Sequence, residues 1–227
     1  MDRVMPGVRR KSAVSMMGVL LIIAVLTGAL AWILIALPVA TFAAKANHPA
    51  HFPIVYAHMV GGTLMLFLGA ANLYIGAARH IGAARRFFQW HRAAGYLYLG
   101  GGTLAASSAI YLAMAPTHER AGRIGLALLD GTDIGWSLAA LGAAWLAAAA
   151  MAWRAARNKK FEQHRAWMIR SYVLAWAFVL CRLLATQPAM AALGDGSAAV
   201  WLSWIVPFFV CEIGLQWNAG ASAPARS

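Results

Sequence analysis

Two histidines in this sequence occupy the same position of a short repeated motif. The chain reads Phe-x-x-His-Arg-Ala at residues 88–93 and again at 161–166, so the histidines are His91 and His164. Each copy follows a basic pair and opens an apolar segment. An internal repeat of this kind indicates repeated structural units. If two membrane passes separate the copies, both histidines enter the membrane from the same side, on helices that point the same way.

Two imidazoles at one depth in a membrane are the axial ligand set of a b-type haem. Such ligation needs one histidine from each of two facing helices, and ionisable side chains inside a membrane usually mark functional sites. We therefore predict that His91 and His164 bind haem iron and that Arg92, Arg165 and Arg170 neutralise the haem propionates. The glycine-rich segment after His91 should leave room for the flat macrocycle. The alternative is that both histidines are interfacial anchors, because aromatic and basic residues flank them.

The composition indicates a polytopic membrane protein. Hydrophobic residues make up 62% of the chain and charged residues 11%, with a mean hydropathy of +0.64, which is too apolar for a soluble domain. Because a spanning helix needs about 20 apolar residues, the sequence predicts one all-α domain, 1–227, built as a bundle of six transmembrane helices. Their predicted limits are about 14–40, 53–78, 93–114, 134–153, 164–188 and 198–217.

The first and last of these helices carry further expectations. The first is too long for a signal-peptide core, although cleavage near residues 43–46 is an alternative. The last is expected to be broken by Pro207. The second and third helices should be related to the fourth and fifth by an approximate two-fold axis along the membrane normal, because each pair contains one copy of the motif.

The positive charge of the chain is distributed unevenly. The net charge is +12, but outside the helices only Lys45, Arg120 and Arg123 lie on the side opposite the N terminus. This bias predicts a multi-pass protein of the bacterial cytoplasmic (inner) membrane with both termini in the cytoplasm. The charge therefore predicts contact with the lipid bilayer and no nucleic-acid partner.

Depth along the predicted helices sorts the buried polar residues into two groups. Arg170 lies about 9 Å along the helix axis from His164, and Glu212 falls at a similar level on the last helix. We expect these two side chains to form an inner ion pair, which is either part of a site or a purely structural contact. An outer polar cluster is expected near the opposite surface, where its charged members could instead extend to the interface: His58, Asp130, Asp133 and Arg182.

These groups leave three functions open. The first is electron transfer through a haem held by His91 and His164, which requires a redox partner. The second is a cofactor-free transporter or proton-coupled carrier of a small-molecule substrate, whose buried ion pairs exchange partners during gating. The third is a metal-dependent membrane enzyme whose metal is bound by His58, Asp130 and Asp133.

The motifs also resemble a known family. His58 with Gly62 and Gly69, the segment His-Arg-Ala-Ala-Gly-Tyr-Leu-Tyr at 91–98, and His-Arg-Ala-Trp-Met-Ile-Arg-Ser-Tyr at 164–172 with a later Arg182 are similar to an uncharacterised bacterial family of predicted membrane proteins, catalogued as domain of unknown function 2306. The resemblance covers roughly residues 57–182. Asn72 stands where the family pattern leads us to expect glutamine. The resemblance implies a polytopic helical protein and no established activity.

Overall fold

The structure is a computed structural model that describes residues 51–78, 88–114, 132–185, 187–191 and 197–221. All regular structure within these ranges is helical, which confirms the all-α prediction for this part of the chain. The predicted first helix, 14–40, lies outside the described residues. The helices, numbered in chain order, are α1 (Phe52–Ala78), α2 (Phe88–Met114), α3 (Thr132–Arg157), α4 (Phe161–Ala175), α5 (Ala177–Ala185), α6 (Pro188–Ala191) and α7 (Ser197–Ala221).

Four stretches of these helices are long and apolar enough to cross a bilayer. They are Phe52–Gly76, Gly135–Arg157, Phe161–Leu184 and Ala198–Trp217, and they correspond to the second, fourth, fifth and sixth predicted helices. The predicted third helix, 93–114, lies within α2, which has 27 residues but contains many glycines and hydroxyl side chains that lower its hydropathy. The described residues therefore support a membrane protein with four candidate spans, and a total of six spans stays a prediction.

Helices α1 to α4 form a ring in which neighbouring helices run antiparallel. Helix α1 packs on α2 and α4, and α3 packs on the same two helices. Tyr96, near the start of α2, contacts Trp153, near the end of α3, with ring centroids 5.6 Å apart. The hydroxyl of Tyr172 on α4 donates to the carbonyl of Leu66 on α1 at 3.2 Å. Because α2 and α4 are both antiparallel to α1 and α3, they run parallel to each other across the ring.

Small residues on α2 allow its neighbours to approach closely. A Cβ atom added at Gly61 of α1 would lie 2.9 Å from the backbone nitrogen of Ala105 on α2, and one added at Gly102 would collide with the Trp145 ring of α3. Such contacts are typical of membrane helices, whose interfaces are enriched in small residues. The Trp145 ring fills the space beside Gly102, whereas a Cβ atom added at Gly100 would have no neighbour within 4 Å, so the expectation that this glycine-rich segment leaves room for a macrocycle stays a prediction.

The last two spans differ from the prediction in where their helices are interrupted. The fifth span is interrupted at Trp176, whose backbone nitrogen donates to the carbonyl of Val173 at 3.2 Å, so α4 and α5 are separate helices within one span. Helix α7 packs against α3, α4 and α5 and continues through Pro207. The expected break at Pro207 is therefore wrong, in keeping with the tolerance of membrane helices for proline.

Candidate functional site

The structure brings the two motif histidines together. His91 lies in the first turn of α2 and His164 in the first turn of α4, at the same end of two parallel helices. Their ring centroids are 6.5 Å apart and the ring planes are nearly perpendicular, at 83°. Both side chains are half-buried. The pair faces across the ring of helices, at the end where α3 turns into α4.

Neighbouring helices contact both imidazoles. Nδ1 of His164 donates to the carbonyl of Ala152 on α3 at 2.9 Å, which leaves the lone pair of this ring on Nε2. A Cβ atom added at Gly76 would lie 3.5 Å from Cε1 of His91, so this ring rests against α1. Such contacts fix the ring orientation in the way that outer partners orient metal-binding histidines.

The spacing of the rings distinguishes two kinds of contact. A direct N–H···N hydrogen bond of about 2.9 Å would place the ring centres roughly 5 Å apart. Two imidazoles in line through one metal ion would have ring centres roughly 6 Å apart, because each metal–nitrogen bond is about 2 Å long, whereas at a tetrahedral angle the centres would be roughly 5 Å apart. The observed 6.5 Å is closer to the in-line arrangement. The two rings are therefore too far apart for a direct hydrogen bond between their nitrogens.

The guanidinium of Arg170 is bound by Glu212. The guanidinium donates through Nε and Nη2 to the two carboxylate oxygens, the second bond measuring 2.9 Å. The exposed fractions of the two side chains are 14% and 28%, and the guanidinium also lies over the Trp167 ring at 4.6 Å. The predicted inner ion pair is thus present as a contact between α4 and α7. Arg92 and Arg165, the other two predicted propionate partners, are exposed beside the histidines.

A buried polar row continues from the histidine pair into the bundle, and sequence reasoning gave its members no role. The Asn72 side chain is only 2% exposed, and among the described residues neither its amide nitrogen nor its oxygen has a hydrogen-bond partner. About one turn deeper, the Tyr98 hydroxyl bonds to Oγ of Ser171 at 2.9 Å, and Ser171 donates to the carbonyl of Met168 at 3.0 Å. The sequence feature that could have identified this row is the family motif, which contains Tyr98 and Ser171.

The predicted outer polar cluster is described only in part. Nδ1 of His58 donates to the carbonyl of Ala105 at 2.8 Å, which ties α1 to α2. The Phe178 ring contacts both His58, with centroids 5.9 Å apart, and the exposed Arg182, whose guanidinium carbon lies 5.2 Å from it. Of the two predicted acidic members, Asp130 and the side chain of Asp133 lie outside the described residues. No group of three or more His, Cys, Asp or Glu side chains suited to a metal ion occurs in the described ranges.

Comparison with known proteins places residues 55–215 in one family. A family model described as "Predicted membrane protein (DUF2306)" matches this range, which confirms the resemblance drawn from the motifs and extends it through most of α7. The match includes the histidine pair, Asn72 and the Arg170–Glu212 ion pair. No curated protein and no solved structure gives a significant match.

Proposed function

The chain belongs to this family of predicted membrane proteins, and on that premise we propose that it transfers electrons through a b-type haem bound by His91 and His164. The observation that carries the proposal is the geometry of the pair. The rings are separated by 6.5 Å, they come from two parallel helices, and the proton of His164 is held on Nδ1 by Ala152. Two histidines that held one haem iron would need these properties.

The residues around the pair would set the properties of the bound group. When bound, haem supplies one-electron chemistry at its iron. The Ala152 carbonyl orients the imidazole of His164, and Gly76 on α1 lies against the ring of His91. Tyr98 and Trp145 are buried and pack together with their ring centroids 5.9 Å apart, which excludes water from the bundle below. Because the Trp145 ring fills the space beside Gly102, we place the macrocycle at the histidine end of the bundle.

The orientation of the protein belongs to the same proposal. The end of the bundle that carries the histidines also presents a cluster of exposed cations, here called the basic end: Arg92, Arg154, Arg157, Lys159, Lys160 and Arg165. By the bias of Lys and Arg toward the cytoplasmic side, we place this end and both termini in the cytoplasm and six helices in the bacterial inner membrane. The internal repeat is supported by two contacts between α2 and α4, His91 with His164 and Tyr98 with Ser171, whose partners are both 73 positions apart (164 − 91 = 73).

Reporter fusions test this orientation directly. Fusions after residues 46, 117 and 197 should report an external location, and fusions after 84 and 158 an internal one. An internal location at residue 117 would contradict the placement of both histidines on the cytoplasmic side.

The spectrum of the purified protein tests the haem proposal. The full chain is expressed in haem-replete cells, purified in detergent and examined before and after reduction. We expect a Soret band that sharpens on reduction, with about one haem per polypeptide in a pyridine haemochrome assay. His58→Ala is the matched control, because His58 also lies on a membrane helix and donates to a backbone carbonyl, but at the opposite end of α1. A colourless wild-type preparation would contradict the proposal.

A second candidate function is a proton-coupled carrier without cofactor. It is favoured by the buried, unsatisfied amide of Asn72 between the histidine pair and the Tyr98–Ser171 contact, since polar groups inside membrane bundles often line transport paths. A colourless protein that moves protons across liposome membranes, and that loses this activity with Asn72→Leu, would establish it in place of the haem proposal. The metal-enzyme alternative stays a prediction, because its aspartate ligands are not described.

A further inference from the structure

A cavity of about 270 Å³ opens at the basic end, between the end of α3 and the start of α4. It lies beside the turn at residues 158–160 and belongs to neither polar group described above. Four polar side chains line its rim, namely Arg154, Asn158, Lys160 and Gln163. All four are exposed. The cavity thus offers two cations and two amides to a ligand that approaches from the membrane surface.

No carboxylate pairs with the two cations in the part of the chain that the structure describes. Within the described residues, neither Arg154 nor Lys160 forms an ion pair with a carboxylate. The nearest acidic residue in sequence, Glu162, is exposed and does not line the cavity. An anion at this position would be attracted by both cations, and the guanidinium of Arg154 can form two parallel hydrogen bonds to one phosphate or carboxylate group.

The inner wall of the cavity is apolar. Met151 and Trp167 form this part of the lining, and Trp153 and Phe161 on the same two helices are 42% and 56% exposed. Large exposed aromatic residues next to cations are typical of the boundary between a bilayer and water. A small hydrated anion would gain nothing from this wall, whereas an amphipathic anion could contact the rim with its headgroup and the wall with its chains.

The turn that forms one side of the cavity has a defined backbone structure. The backbone nitrogen of Lys160 donates to the carbonyl of Ala155 at 2.9 Å, and that of Lys159 donates to Ala156 at 3.0 Å. Lys159 has a φ of 57°. These features define a Schellman motif at the end of α3, and they hold the backbone of Lys160 in place at the rim.

We propose that this cavity binds the phosphate headgroup of an anionic glycerophospholipid of the bilayer. The two cations contact the phosphate, the amides of Asn158 and Gln163 contact the glycerol and headgroup oxygens, and the apolar wall contacts the start of an acyl chain. This inference does not depend on the haem proposal, since neither His91 nor His164 lines the cavity. Juxtamembrane cations attract anionic lipid with roughly a fivefold gain in affinity per residue.

Lipid binding to the delipidated full chain tests the proposal. The protein in detergent is titrated with phosphatidylglycerol or with phosphatidylcholine of the same chains, and bound lipid is counted by native mass spectrometry. We expect one molecule of phosphatidylglycerol to bind more tightly than phosphatidylcholine. The double variant Arg154→Gln/Lys160→Gln should lose this preference, with phosphatidylglycerol affinity falling roughly twentyfold. Its melting temperature in phosphatidylcholine should equal that of the parent, which verifies folding.

A matched control removes the same number of charges from the same region of the protein but leaves the cavity lining unchanged. Arg157→Gln/Lys159→Gln removes two exposed cations of the same turn that do not line the cavity, and it should retain the lipid preference. Equal losses in the two double variants would overturn the proposal in favour of diffuse attraction to the basic end. Displacement of the lipid by millimolar inorganic phosphate, with equal binding of water-soluble glycerol phosphate, would also overturn it, because the site would then bind free phosphate.

Discussion

Replacing Arg170 by glutamine should destabilise the protein by about 3 kcal/mol. The change removes a guanidinium that makes two hydrogen bonds to Glu212, and it leaves the carboxylate without its partner at a side-chain exposure of 28%. Breaking a fully buried pair costs about 3–5 kcal/mol. Because both side chains retain some exposure, we expect the lower end of that range. Glu212→Gln should cost a similar amount, since it leaves the guanidinium uncompensated.

A double-mutant cycle separates the pair interaction from the individual losses. In Arg170→Gln/Glu212→Gln no uncompensated charge remains, so the double variant should be more stable than the sum of the two single losses predicts, by about 1–3 kcal/mol. The free energy of unfolding is measured in mixed detergent micelles for the four proteins. Glu162 and Arg165 provide the matched control, because they are exposed and three positions apart on α4. Their coupling should be below about 0.5 kcal/mol. Additive losses at Arg170 and Glu212 would refute the ion-pair argument.

Two further substitutions test the backbone and packing arguments. Lys159→Gly should stabilise the protein by about 1 kcal/mol, because Lys159 holds a left-handed conformation that favours glycine. The control Arg157→Gly, within the last turn of α3, should destabilise the protein by up to about 1 kcal/mol. The reverse order of stabilities would contradict the Schellman assignment. Gly102→Ala should lower the free energy of unfolding by about 1–3 kcal/mol, because the added methyl group displaces the Trp145 ring. The control Gly100→Ala has no atom near its added Cβ and should be neutral or slightly stabilising in the same unfolding assay.

The arrangement of the helices explains which features could be predicted from the sequence. The contact between Arg170 and Glu212 was predictable because a helix advances by a fixed rise per residue, so depth alone places both residues at one level. The contact between His91 and His164 was predictable because the two copies of the motif are separated by two membrane passes, which places both histidines on the same side of the membrane. Both arguments need only the positions and directions of the spanning helices, which can be predicted from the apolar segments.

Features that depend on three-dimensional packing could not be predicted in this way. The glycines of α2 indicate a close approach, but the sequence does not say whether a cofactor or the Trp145 ring fills the space. The interruption at Trp176 carries no proline or glycine signal. The left-handed conformation of Lys159 could not be predicted either, because glycine and asparagine are the usual residues at such a position. The burial of the Asn72 amide depends on how the neighbouring helices pack.

The measurement that tests the central claim most directly compares His91→Ala, His164→Ala and the double variant. If both histidines bind one iron, each single variant should lose most of the haem and change its spin state, and the double variant should be little worse than either single one. The readouts are haem per polypeptide, the absorption spectrum and the melting temperature. Full haem content in both single variants, with small and additive shifts in melting temperature, would contradict the claim and identify the two histidines as independent anchors at the membrane surface.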